Sequence, residues 1–133
     1  MKHVKMPNIS LEDNIKKVEE FRKLEKDWNM YDADPLPPKV IDNAIEILKH
    51  LNIQPKVFPT AVDSIQFEYE EEIRTDEDEP ISTAYMEFEV KEDKIDMMRV
   101  IGPSCDYYEE CEIALDDYKA LNKELETFGF TEE

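Results

Sequence analysis

An α+β domain, with two N-terminal helices, a four-stranded antiparallel meander and one C-terminal helix (ααββββα), is predicted by three observations. Apolar residues recur at helical spacing between residues 11 and 51. The period switches to two between residues 56 and 101, where apolar and polar side chains alternate. Helical spacing returns after Gly102, Pro103 and Ser104. Covering one face of a meander with helices is the simplest packing for that order. A chain of 133 residues suits one domain, 1–133, with one core.

The first helix is predicted over residues 11–26. Ser10 followed by Asp13 is an acidic variant of the capping box. Leu11, Ile15, Val18, Phe21 and Leu24 form its apolar stripe. The segment "WNMYDADPLPP" (28–38) reads as an extended linker, because its prolines restrict themselves and the residues before them. Trp28 and Tyr31 are expected to plug the gap between helices and sheet; the other reading is a ligand platform. Pro38 suits the first position of a second helix over 38–51. There Val40, Ile41, Ala44, Ile45, Leu48 and Leu51 share one face.

"KVFPT" is a short strand whose Pro59 argues for a sheet edge. After the turn "AVDS", Ile65, Phe67 and Tyr69 alternate with Gln66, Glu68 and Glu70. "TDEDEP" is a loop. Ala84, Met86, Phe88 and Val90 alternate with Tyr85, Glu87 and Glu89. "KEDK" turns the chain into "IDMMRVI", the fourth strand. Its inward set switches from Ile95 and Met97 to Met98 and Val100, which predicts a bulge. The last helix is predicted over 107–128, capped by Asp106 with Glu109 and ended by Gly129. Its stripe is Tyr108, Cys111, Leu115, Tyr118, Leu121, Leu125 and Phe128.

Charge is distributed unevenly. Residues 1–60 hold ten Lys/Arg and ten Asp/Glu, whereas residues 61–133 hold six and twenty-four and so carry the whole net charge of −18. Such a chain repels nucleic acid and anionic membranes and attracts basic proteins. A balanced half joined to an acidic half suggests a face with a task; the competing reading is solubility alone. Cys105 and Cys111 form no disulfide framework or zinc knuckle. "MKHVKMPNIS" has no apolar signal region and no apolar run reaches membrane-spanning length. A cytoplasmic protein is expected.

No catalytic signature is present. His3 and His50 lack partners in a recognisable motif, and His50 reads as a cation at a helix C-terminus. Cys111 reads as core. Only Gly102 and Gly129 occur, in different segments, which excludes a phosphate-cradling loop. "TDEDEPIS" lacks the glycine of a calcium loop and holds a proline where the turn belongs. The expectation is a non-enzymatic protein with no cofactor and no metal.

"DWNMYDADPLPPKVIDNAIEIL" followed by "PKVFPTAVDSIQFEYE" resembles a loose group of small bacterial and phage-associated proteins of unknown function. Trp28, Tyr31, Ala33, Pro35, Pro59, Thr60, Phe67, Glu68 and Tyr69 carry the likeness, over residues 26–70. Relatives of this kind have a glycine in the hairpin turn, where "AVDS" has none.

The predicted partner-binding surface is acidic. With Ile65, Phe67 and Tyr69 inward, Glu68, Glu70 and Glu72 share the outer face about 6.6 Å apart, close to the spacing of successive phosphates. Glu87 and Glu89 join them, and Asp76, Glu77, Asp78 and Glu79 extend the acid past the strand end. Between residues 64 and 90 only Arg74 is basic. Like charges facing across a sheet are destabilising, so an unmixed acidic face points to use. The expected function is an inhibitor that imitates nucleic acid and occupies a basic partner's groove. A nucleic-acid-binding nuclease is the model target, in an anti-defence, anti-CRISPR-type role suggested by the phage-associated likeness. The alternative is an accessory domain that binds a small ligand or forms a homodimer through the 28–38 linker.

Overall fold

Ser10 begins the first helix by capping it. The Asp13 amide donates to Ser10 Oγ at 3.0 Å, satisfying one of the amides that a helix N-terminus leaves unpaired. The computed structural model describes residues 2–3, 9–74, 82–101 and 107–127. Helix α1 spans Leu11–Glu20 and tightens into a 3-10 turn over Phe21–Lys23, ending before the predicted 26. Val18 and Phe21 are buried, and so is Asn14, whose amide nitrogen donates to Pro55 O at 2.9 Å and Gln54 Oε1 at 3.1 Å.

The next segment corrects the extended-linker expectation. It closes a loop in which Asp27 N–H donates to Ala33 O at 2.7 Å. Asn29 Oδ1 accepts from the amides of Tyr31 and Ala33, and Asp27 Oδ1 accepts from that of Asp32. These bonds hold Asp27, Met30 and Asp32 at positive φ. Trp28 and Tyr31 do not fill the core: Trp28 is half-buried with Nε1 donating to Asp34 O at 2.8 Å, and Tyr31 is 87% exposed. The small Ala33 and the aliphatic Leu36 are the loop residues that reach the core.

Helix α2 spans Pro38–Leu48 with proline at its start and buries Val40, Ile41, Ala44, Ile47 and Leu48. It stops short of the predicted 51, although Leu51 is buried too. The strands are β1 (Lys2–His3), β2 (Lys56–Pro59), β3 (Ile65–Arg74), β4 (Ser82–Val90), β5 (Ile95–Ile101) and β6 (Tyr107–Ile113), followed by α3 (Tyr118–Thr127). All pairs are antiparallel, in the order β1-β3-β4-β5-β6, with β2 pairing the first half of β3. The β2–β3 turn manages without glycine because Asp63 takes φ 59°, a conformation that aspartate tolerates better than most residues.

The predicted four-strand meander is thus β2–β5, and the sheet is wider. Residues 107–113 form a strand where a helix was expected. "YYEECEI" alternates as well as it spirals, and pairing with β5 in the register Ile95↔Ile113 to Ile101↔Tyr107 decides the matter. The last helix therefore begins at Tyr118, where Asp117 Oδ1 accepts from the Ala120 amide. Asp106 and Gly129, the expected caps, lie outside the described residues.

β5 has no bulge: its register with β4 is continuous from Val90↔Ile95 to Ala84↔Ile101. Its inward set is Ile95, Met97 and Arg99, the last only 7% exposed. Burial of an arginine follows from its pairing. Arg99 Nη2 lies 2.5 Å from Glu109 on β6, and Nη1 pairs Glu124 on α3. The core lies between this sheet face and the helices, with α2 against β3 and β4. Phe67 faces Phe88 across the ladder, and Tyr69 packs edge-on to Phe88 at 5.8 Å.

Candidate functional site

Strict alternation on β3 to β6 leaves a second sheet face. Ile65, Phe67 and Tyr69 on β3 and Ala84, Met86, Phe88 and Val90 on β4 are fully buried, while Gln66, Glu68, Tyr85, Glu87, Glu89, Asp96, Met98 and Val100 are half-exposed. Glu70, Tyr108, Glu110 and Glu112 are exposed. No described helix supplies a residue to this face's lining.

Register arranges the face in rows. Gln66, Glu89, Asp96 and Glu112 lie opposite one another across the four strands. The next row is Glu68, Glu87, Met98 and Glu110, and the third is Glu70, Tyr85, Val100 and Tyr108. An open trough of about 500 Å³ runs over the β4–β6 part, bordered by Glu87, Glu89, Asp96, Met98, Tyr108 and Glu110.

The electrostatics differ between rows. In the first, Lys91 Nζ lies 2.6 Å from Asp96 and Lys94 Nζ lies 2.7 Å from Glu112, so two carboxylates are compensated. Ser64 Oγ donates to Glu89 Oε2 at 2.7 Å. In the second row, Glu68 and Glu87 face each other directly with no cation within ion-pair distance among the described residues. Tyr85 Oη donates to Glu68 Oε1 at 3.0 Å. Glu87 holds its proton more tightly than an ordinary carboxylic acid, chiefly because it has lost water, and then because Glu68 and Glu89 repel its charge. Burial, then Glu87, raises the Tyr85 phenol. The Tyr108 phenol is raised mainly by its hydrogen bond to Glu110.

Of the sequence-predicted site residues, Glu68, Glu70, Glu87 and Glu89 come together on this face. Glu72 lies opposite Thr83 in the ladder, but its side chain is outside the described residues, as are Asp76, Glu77, Asp78 and Glu79. Sequence reasoning missed Asp96, Met98, Val100, Tyr108, Glu110 and Glu112. The missed signal was the alternation of Tyr108, Glu110 and Glu112 with Cys111 and Ile113, obscured by a helical spacing in the same residues.

Cys111 is exposed rather than core, and its thiol is raised by desolvation and by Glu124 and Glu109, which disfavours the nucleophilic thiolate. His50 stacks on Tyr118 with ring centroids 3.9 Å apart, and its Nε2 lies 3.3 Å from Glu46. Among the described residues no group of three or more His, Cys, Asp or Glu is placed to hold a metal ion. No described helix is long and apolar enough to cross a membrane.

No family model matches the chain, and no solved structure matches it. It is similar to part of the genome polyprotein of bovine viral diarrhea virus (strain SD-1), with 36% identity over 81 residues. Those residues are 61% of this chain and 2% of the polyprotein, so the chain spans a very small part of the curated relative it matches.

Proposed function

We propose that the protein is a non-enzymatic binding protein whose uncovered sheet face receives a basic protein surface. A groove that ordinarily holds nucleic-acid phosphates, such as that of a nuclease, is the class of target it fits. The carrying observation is the Glu68–Glu87 pair, two carboxylates directly opposed on adjacent central strands with no cation within ion-pair distance among the described residues, although β2 places Lys56 opposite Glu68 on its other side. Such a pair costs the folded state stability. Elsewhere the same face does use lysine, at Asp96 and Glu112, so compensation was within reach of this sequence. An arginine- or lysine-lined groove would supply the missing counter-charges and associate quickly with strong salt dependence.

The test is capture of partners on immobilised protein at low and high salt, with wild type beside a Glu68→Gln/Glu87→Gln/Glu110→Gln variant. A basic nucleic-acid-binding protein is expected on the wild type at low salt, displaced by added duplex DNA and missing from the variant. Equal capture by both, or capture indifferent to DNA and salt, overturns the reading.

A second reading is favoured by the 27–34 loop. Met30 and Tyr31 stand 85% and 87% exposed at its tip, and Met30 has φ 67°. An exposed aromatic held on a strained, internally hydrogen-bonded turn suits a contact with a second copy or a small ligand. Light scattering of wild type and Tyr31→Ser decides the first case; a monomer in both removes self-association through this loop.

A further inference from the structure

Resting on the acidic-face reading, we infer that the element received there is a basic amphipathic α-helix lying along β5. Imitation of phosphates alone gives no role to the centre of the face. Met98 lies on β5 in the open trough, and Val100 follows it on the same face in the next row, both half-exposed, with Tyr85 and Tyr108 on either side of Val100. Glu87 and Glu110 flank Met98 on the two neighbouring strands. Neither has a cation within ion-pair distance among the described residues, whereas Lys91 and Lys94 occupy the carboxylates at the far end. An apolar ridge bordered on both sides by uncompensated acid is the complement of a helix with an apolar stripe bordered by lysine or arginine.

Backbone chemistry selects a helix over an extended peptide. β4 and β5 are paired on both edges, so the centre of this face offers no free strand edge. An extended ligand laid there would lose hydration from its own amides without gaining ladder bonds, whereas a helix arrives with its backbone satisfied. Methionine suits such a seat because its unbranched side chain adapts to the apolar residue placed on it. The seven residues of β5 run about 23 Å, the length of about 15 helical residues.

Two synthetic peptides of about 15 residues, with identical leucine and lysine content, test this by calorimetry and circular dichroism. One repeats leucine at helical spacing; the other is scrambled so that no face is apolar. The patterned peptide is expected to gain helicity on binding and to bind about tenfold or more tighter, a difference of about 1.4 kcal/mol. Met98→Asp should weaken the patterned peptide while leaving or strengthening the scrambled one, since it adds acid and removes the apolar seat. Tyr108→Ala, at a position 55% exposed, should weaken the patterned peptide without threatening the fold. Equal binding of the two peptides, or a Met98→Asp protein that binds the patterned peptide as well as wild type does, overturns the helix inference and leaves the acidic-face reading standing. Failure of both peptides to bind at low salt sinks both.

Discussion

Replacing Glu87 by glutamine should make the protein more stable at neutral pH. The substitution keeps shape and hydrogen-bonding capacity but removes one of two carboxylates that face each other across β3 and β4. A like-charge cross-strand pair is worth about 0.2–1 kcal/mol, and the half-buried position of Glu87 favours the upper part of that range. The entropy of unfolding scales to about 0.3 kcal/mol per kelvin for 133 residues. The melting temperature should therefore rise by about 2–4 °C. Its pH dependence is the sharper test. Loss of water, with repulsion from Glu68 and Glu89, raises the folded-state pKa of Glu87 above its unfolded value. The folded state then holds its proton more readily than the unfolded chain, so this group's contribution is favourable at low pH and is lost as pH rises through the raised value. The gap between variant and wild type should be widest at neutral pH and close on acidification into the window just above the ordinary glutamate value. Calorimetric melting across that range is the assay. A variant that melts no higher at neutral pH, or a gap that persists in acid, would refute the idea of an uncompensated pair.

Three other outcomes follow from the geometry. Arg99→Met should cost about 3 kcal/mol, since it removes the buried guanidinium that pairs with Glu109 and Glu124; adding Glu109→Gln and Glu124→Gln should recover most of that in urea unfolding. Met30→Gly should stabilise by about 0.5–1 kcal/mol, because an 85% exposed side chain at φ 67° gives up strain and no packing; a lower melting temperature would mean that the side chain makes contacts the fold needs. Trp28→Ala should cost about 1–2 kcal/mol, well below the loss from a fully buried ring, as its indole is half-buried with one hydrogen bond to Asp34 O.

The sequence was readable where one period ruled and one chemistry filled the inward positions. Strands β3 and β4 show Ile65, Phe67 and Tyr69 against Met86, Phe88 and Val90, all apolar, so both their existence and their faces were legible. β5 misled because its third inward position is charged. A pattern that expects apolar residues inward reads Arg99 as a change of face, hence the expected bulge; only its partners, 10 and 25 positions further on, explain its burial. β6 misled for the opposite reason. Tyr108, Cys111 and Leu115 satisfy a helical stripe, and the strand alternative wins only once β5 offers a ladder to pair with. The loop after α1 hid its closure in Asp27 and Asn29, whose side chains bond backbone amides up to five residues ahead.

Strand β6 shapes the site as well as the fold. Had residues 107–113 been helical, the acidic face would end at β5, with Glu68, Glu70, Glu87 and Glu89 as a half-sheet of carboxylates and Met98 near its rim. As a strand, β6 carries Tyr108, Glu110 and Glu112 across the far side of β5, and Met98 becomes the centre of a bordered trough. The same strand turns Glu109 inward to Arg99, so the pairing that seats α3 on one face also fixes which acids remain on the other. Stability and the make-up of the acidic face are coupled through that alternation. A change that slips β6 by one residue would bury Glu110 and Glu112 and expose Glu109, destroying the Arg99 pairing and the trough together. Loss of binding accompanied by loss of stability at β6 is therefore expected from register damage, whereas Tyr108→Ala, which leaves the register intact, should separate the two.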